Sequence, residues 1–488
     1  MNYITTIGLE VHVQLKTESK MFCACPVMYG AEPNENTCPT CLGLPGALPV
    51  LNGGAIEKTI LAGIMLDCET PPVSKWDRKN YFYPDMPKNY QISQFDLPLC
   101  MGGGVSLYDH CYPKDFQKSI TSRGKIVSLT RIHLEEDVAK STHSESGTII
   151  DFNRAGTPLM EIVSEPEIDS PEEAFAYLNS LRQVLIYGDL SDADMEKGQM
   201  RCDVNVSVRP PDQDELGVKI ELKNMNSASA VRRALHYEIN RQVKVLSEGG
   251  ELIQSTRRWD DDLGETQLMR TKEDAHDYRY FPDPDLLPLE IEDKFISDIK
   301  NTIPELPDEK KQRYIDQYKL TKYDSSILIS EKDTSEYFEK ILISNQELKN
   351  HTKIISNWII SELFAYLKKD DKQIKQSPVS PENLGKLILL IVNNTISGKI
   401  AKEVFEEMYV NKSDPQSIIE NQNLTQVTDT KEINKIIEKV LQNNQDKLSE
   451  YKNGKNKLFG FFVGQVMKNS NGKANPKIVN ELLKEKLN

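Results

Sequence analysis

The sequence predicts an α+β protein, with a strand-rich first part followed by an all-helical remainder. Three observations carry that prediction. Up to about residue 290 the chain runs in short alternating apolar and polar stretches, rich in Gly and Pro and dense in polar motifs. After Pro288 the apolar spacing becomes helical, as in DEKKQRYIDQYKL, NHTKIISNWIISELFAYLKK and SPENLGKLILLIVNN. A last segment from about residue 408 is enriched in Lys and Asn.

The elements follow in order. In ITTIGLEVHVQL, Ile7, Leu9, Val11, Val13 and Leu15 share one face of a strand, and Gly8, Glu10, His12 and Gln14 share the other. SPEEAFAYLNSLRQVLIYG reads as an amphipathic helix with Ser170 as N-cap, Pro171 at its first position and Gly188 just past its end. MRCDVNVSVRP repeats the strand pattern, setting Cys202, Val204, Val206 and Val208 against Asp203, Asn205 and Ser207. GVKIELKN follows a Pro-Pro-Asp turn signal, so these two segments are expected to form a hairpin. Near the end, NKSDPQSIIENQNLTQVTDT reads as loop, and the sequence from KEINKIIEK onward as three short helices. The expected segments are 1–293, 294–407 and 408–488.

Composition narrows the function classes. With 488 residues and 38 % hydrophobic content, the chain can bury sizeable cores. No apolar run approaches the roughly 20 residues of a membrane span, and the opening MNYITTIGLEVHVQL lacks the basic end and apolar block of a signal peptide. Membrane and secreted proteins are therefore not expected. The net charge of −14 is unevenly spread: residues 1–300 carry 31 Lys+Arg against 48 Asp+Glu, residues 301–488 carry 29 against 26. So acidic a first part is a poor non-specific nucleic-acid binder, whereas the last 38 residues hold 8 basic and 2 acidic side chains. Eight cysteines without a signal peptide point to reduced thiols or a metal site.

Four of them, Cys23, Cys25, Cys38 and Cys41, form C-x-C-x12-C-x2-C. Two close thiol pairs joined by a Gly/Pro/Asn-rich loop suit a tetrahedral Zn²⁺ with Zn–S distances of about 2.3 Å and a structural role; four unrelated thiols are the plainer alternative. Cys68, Cys100, Cys111 and Cys202 are isolated and read as buried small hydrophobes. A second constellation is acidic. Glu10 and His12 share a strand face, Asp203 and Glu221 lie on the polar face of the hairpin, IHLEED offers Glu135, Glu136 and Asp137, and PLMEIVSEP offers Glu161. Acids converging with one histidine suit Mg²⁺, the imidazole adding tolerance for Mn²⁺; a solvated sheet face is the alternative. The stretch WDRKNYFYPDMPKNYQISQFDLPL sets Arg78, Lys79 and Lys88 among aromatic rings, as either a phosphate-binding region or a packed surface loop. STRRWDDDLGETQLMRTKEDAHDYRYFPDPD offers the same choice between a phosphate clamp and a charged hairpin. There is no P-loop, no strand-linked G-x-G-x-x-G and no signature for hydrolysing glutamine.

Taken together, IGLEVHVQLKTESKMFC, CPTCLGLPGALPVLN, RKNYFYPDMPKNYQISQFDLPL, IHLEED, DFNRAGTPLMEIVSEP, MRCDVNVSVRP, IELKNMNS and DYRYFPDPDL resemble one family across about residues 4–290: the B subunits of aspartyl/glutamyl-tRNA amidotransferases. The remaining 200 or so residues are similar to that family's helical domain and YqeY-like tail. The resemblance implies a strand-rich catalytic cradle in a cytoplasmic heterotrimer with an amidase A subunit and a small C subunit. It implies ATP-dependent phosphorylation of the side-chain carboxylate of misacylated Asp-tRNA(Asn) or Glu-tRNA(Gln), then amidation by ammonia from the partner. Carried over by position, it makes Glu10, His12, Glu135, Glu161, Asp203 and Glu221 the divalent-metal site, with Glu135 preferred to Glu136 on the resemblance alone. It makes Cys23, Cys25, Cys38 and Cys41 the zinc knuckle. Lys79 and Arg201 are candidates for phosphate contact. In the tail, Lys468, Lys473 and Lys477 surround a Gly-broken helical segment suited to tRNA sugar–phosphate contacts. The rival expectation is a non-catalytic tRNA-binding scaffold in the same complex.

Overall fold

A computed structural model describes residues 3–121, 123–271, 277–422, 424, 429–470 and 473–487. It falls into two compact units, Met1–Glu309 and Lys310–Asn488.

The first unit is built on a nine-stranded sheet. Its order is Glu265–Thr271, Ser255–Asp260, Ile220–Lys223, Met200–Arg209, Ile4–Gln14, Pro158–Ser164, Ile126–Glu136 and Cys100–Met101, with Gly104–Ser106 also paired to Ile126–Glu136. All pairs are antiparallel except Ile220–Lys223 with Ser255–Asp260. The expected hairpin is present, with Val204 opposite Leu222 and Asn205 opposite Glu221.

Alternation divides the central strand as the period-two pattern predicts. Ile7, Leu9, Val11 and Val13 are at most 1 % exposed. Each contributes about 1.5–3 kcal/mol by leaving water, which pins the register, since a one-residue slip would bury Glu10 and His12 instead. Helices Gly53–Met65, Pro171–Tyr187 and Ala228–Ser247 contribute to the same core. Pro171–Tyr187 starts where Ser170 Oγ accepts from the Glu173 N–H at 3.2 Å, and Gly188 closes it by donating to Val184 O. The polar face of the sheet is left for chemistry.

The second unit is helical and holds two hydrophobic clusters, one drawn from residues 314–419 and one from 433–487. The helix expected in NHTKIISNWIISELFAYLKK, residues 350–369, begins at Thr352 and contains a π turn at Trp358–Leu363. Three tail expectations are corrected. The Asn/Gln-rich stretch is not all loop, because Ile418 and Ile419 are buried in helix Pro415–Gln422; residues 423 and 425–428 lie outside the described residues. The final stretch forms four α-helices among the described residues, not three: Thr430–Gln442, Gln445–Lys452, Phe459–Asn469 and Pro476–Leu487. Gly460 and Gly464 sit inside a helix and do not break it; Phe462 and Val466 on the same helix are fully buried. Cys100, Cys111 and Cys202 are buried as expected, while Cys68 is only partly so, near the surface with its thiol donating to Gly102 O at 3.0 Å. Among the described residues no helix is long and apolar enough to cross a membrane.

Candidate metal centres on the polar sheet face and in the cysteine loop

Strand register assembles the acidic site. His12 lies directly opposite Glu161 on one side and Arg201 on the other, Glu10 lies opposite Asp203, and Glu161 lies opposite His133. His12 Nε2 is 3.2 Å from Glu161 Oε2, 3.7 Å from Glu10 Oε1 and 4.0 Å from Glu135 Oε1. Glu10, His12 and Asp203 form one group able to hold a cation, and His12, Glu135 and Glu161 another; donor atoms within each lie no more than 4.8 Å apart. His12 belongs to both, so the five side chains form one continuous patch.

Its electrostatics are those of packed like charges around imidazoles. Burial alone would lower the His12 pKa, yet the hydrogen bond and charge of Glu161, helped by Glu135 and Glu10, push it up to about 9. Burial likewise opposes the charge of Glu161, but His133 and His12 hold its carboxyl well below the usual range. Burial first, then the Glu161 charge, raises Glu10. A divalent cation would relieve this strain, and the oxygen-rich, one- or two-imidazole donor set fits Mg²⁺ or Mn²⁺.

Glu221 stands apart from that group. Thr256 Oγ1 donates to it at 2.6 Å, and Lys223 Nζ lies 3.2 Å from it while also pairing with Asp203. The ambiguity in IHLEED is resolved by register: Glu135 points to His12 and receives Ser93 Oγ at 3.2 Å, whereas Glu136 pairs with Lys88 and accepts from the Ile92 N–H. Lys79 is largely enclosed, 5.1 Å over the Tyr278 ring, and Glu135 and Glu161 help hold its ammonium charged against burial. Arg201 donates to Asp137 Oδ1 at 2.8 Å, while its Nε is buried without a partner. Other cations of these aromatic stretches are committed elsewhere: Arg78 to Asp283 and Asp285, Arg257 to Thr266. Ser255–Asp260 and Glu265–Thr271 form the charged hairpin, while residues 272–276 lie outside the described residues. Beside Glu10 a largely apolar cavity of about 230 Å³ opens between Gly8, Val163, Pro166, Leu216 and Lys219.

Two neighbours of this site were not read from sequence. His133, 4 % exposed, has its Nε2 3.3 Å from Glu161 Oε2, and Arg131 reaches Glu161 Oε1 at 3.9 Å. The signal was alternation, since Arg131, His133 and Glu135 occupy one parity of a single strand.

The second centre is the cysteine loop. The Sγ atoms of Cys23, Cys25, Cys38 and Cys41 all lie within 4.8 Å of one another, so they could hold a structural metal. The Cys38 N–H donates to Cys41 Sγ at 3.1 Å. A hydrogen bond from Cys23, then burial opposed by further donors and Lys20, leaves the Cys41 thiol lowered to about 4. The loop is stitched to the segment after strand Gly147–Asp151. Asn36 N donates to Asn153 Oδ1 at 2.8 Å, Phe152 N to Asn34 Oδ1 at 2.8 Å and Asn153 Nδ2 to Glu32 O at 2.7 Å. In the tail, Lys468 and Lys477 are exposed and Lys473 is half-buried.

Fold and site together define a class: a mixed-sheet protein presenting a carboxylate–imidazole cluster on one face, with a four-cysteine knuckle alongside and a helical C-terminal part. Residues 5–297 match the family model of the GatB/GatE catalytic domain, and residues 336–487 match that of the GatB domain. The chain is 49 % identical over 487 residues to a Persephonella marina protein named as the B subunit of an aspartyl/glutamyl-tRNA(Asn/Gln) amidotransferase, with 100 % of each chain covered. Proteins of the same name from Thermoanaerobacter pseudethanolicus and Geotalea daltonii are 49 % identical over 488 residues and 47 % over 492, again covering 100 % of each chain. The chain belongs to the GatB family of aminoacyl-tRNA amidotransferase subunits.

Proposed function

We propose that this protein uses ATP to activate the side-chain carboxylate of a misacylated tRNA and passes it to ammonia. The relatives' names supply the substrate class, Asp-tRNA(Asn) or Glu-tRNA(Gln), and the amide product. A carboxylate is a poor electrophile. Its oxygen attacks the γ-phosphorus and ADP leaves; ammonia then adds to the acyl carbon and inorganic phosphate departs.

The observation that carries this reading is the convergence of Glu10, His12, Glu135, Glu161 and Asp203 on one face, with Lys79 in electrostatic reach of Glu135 and Glu161, and Arg201 of Glu135 and Asp203. These five side chains would hold Mg²⁺ or Mn²⁺, and Glu221 would join them once Lys223 moves. The cation would offset charge on the phosphoryl oxygens. Lys79 and Arg201 neutralise the remaining phosphate charge, Tyr278 and Asp137 fixing their directions. Cys23, Cys25, Cys38 and Cys41 hold Zn²⁺ structurally. Lacking a glutaminase signature, the chain takes ammonia from an amidase A subunit in a cytoplasmic heterotrimer that includes a small C subunit. The tail, through Lys468, Lys473 and Lys477, grips the tRNA backbone.

The test is made in the assembled complex with Glu161→Gln and Asp203→Asn. ATP-dependent amidation should fall by about 10³-fold, the scale of losing transition-state electrostatics, while glutaminase activity persists. Unchanged amidation would reject the reading and leave a tRNA-binding scaffold.

A further inference from the structure

Lys20 lies in the turn after the first strand and is completely enclosed, with 0 % of its surface exposed. Its ammonium donates to Asn36 O at 2.9 Å and to Phe152 O at 3.2 Å, and lies 3.7 Å from Cys41 Sγ. An ammonium has three donors, and here three partners, of which only the sulfur can carry charge. Among the described residues no carboxylate pairs with it. A buried ammonium lacking counter-charge costs several kcal/mol, so a lysine at this position needs an anion.

The four-cysteine knuckle supplies one. A divalent cation bound by four thiolates carries a net charge of minus two inside a loop that is itself partly buried. Packing also favours the pairing. Gly156, at the left-handed φ of +87° that favours glycine, carries the backbone over both side chains: a Cβ there would lie 3.4 Å from Lys20 Cδ and 3.5 Å from Cys41 Cβ, in ordinary contact with each.

We propose that Lys20 is the counter-charge of the cysteine metal centre, its ammonium offsetting one of the two excess negative charges of the loaded knuckle and so raising metal affinity. The role rests on the reading that the knuckle holds a metal. It also makes Lys20 a two-way clamp. The same ammonium that faces the thiolates holds the carbonyls of Asn36 in the knuckle loop and Phe152 in the neighbouring segment.

The test compares wild type, Lys20→Met and Lys20→Arg in the full chain, reading zinc affinity by competition with a chromophoric chelator and thermal melting with and without zinc. Lys20→Met keeps the stem and removes the charge. It should bind zinc 10–100-fold more weakly, the usual cost of losing a group that supports metal ligands. Without zinc the variant loses only the two carbonyl contacts, so the gap in melting temperature between wild type and Lys20→Met should widen when zinc is added; Lys20→Arg should recover much of the affinity. Equal zinc affinity in wild type and Lys20→Met overturns the proposal while sparing the metal knuckle. A wild type without stoichiometric zinc overturns both. Should Lys20→Met fail to fold, wild type labelled with ¹⁵N-lysine decides: the Lys20 ammonium resonance must shift when zinc is removed, and an unmoved resonance overturns the assignment.

Discussion

Glu161 and His12 are direct cross-strand partners, and Glu161 Oε2 stands 3.2 Å from His12 Nε2. The same oxygen lies 3.3 Å from His133 Nε2 on the next strand, so one carboxylate joins imidazoles from both flanking strands. That arrangement makes Glu161 the hub of the acidic patch.

Replacing the hub should separate metal binding from folding. Glu161→Gln keeps shape and most of its hydrogen bonds, so the melting temperature should move little, while Mn²⁺ affinity read by electron paramagnetic resonance should drop 10–100-fold. His133→Ala should weaken Mn²⁺ about tenfold by unfixing Glu161; equal binding would show that His133 only packs.

Lys223 competes with any cation for Asp203 and Glu221, pairing with both. Lys223→Met should therefore tighten Mn²⁺ binding severalfold in the absence of nucleotide. Weaker binding would mean that Lys223 positions Asp203 and does not compete for it.

Zinc loss should be felt beyond the knuckle. Cys38→Ser should abolish stoichiometric zinc and speed amide hydrogen exchange at residues 151–156, because Asn34, Asn36 and Lys20 all bind that segment from the knuckle side. Unchanged exchange would show that the segment stands without the metal.

Backbone conformation at Gly156 gives a stability prediction. Gly156→Ala puts an L side chain at φ +87° and should cost about 1–3 kcal/mol in urea unfolding from backbone strain, its Cβ meeting Lys20 only at ordinary contact distance. No shift in the midpoint would mean the local backbone relaxes freely.

The tail is best removed after residue 424. A cut after 407 would strip Met408, Tyr409, Ile418 and Ile419 from the preceding core, whereas the last cluster begins at Ile433. The shorter deletion should weaken tRNA binding about tenfold and leave ATP cleavage with bound substrate little changed. Equal tRNA affinity would reject the tail's role.

The central strand was legible because period two exposes both of its faces at once: Ile7, Leu9, Val11 and Val13 on one, Glu10 and His12 on the other. IHLEED was not, since it offers acids at both parities, and only pairing with Pro158–Ser164 puts Glu135 inward and leaves Glu136 to Lys88. Of the two groups that capture Glu221, Lys223 lies two residues on at the same parity of the same strand, whereas Thr256 comes from a strand 35 residues further on and left no local mark. Lys20 carried no signal either, being an ordinary lysine until the chain folds around it. In the tail, Gly460 and Gly464 looked like breaks. Burial of Phe462 and Val466 outweighs the ~1 kcal/mol that each glycine costs a helix.

Each of the three hydrophobic clusters is drawn from one uninterrupted stretch of chain: 7–299, then 314–419, then 433–487. A growing polypeptide leaving the ribosome can therefore complete one nucleus before the next is synthesised. Damage late in the gene then yields shortened products whose front portions are already folded, and such products would compete with intact copies for whatever binds the sheet-bearing half.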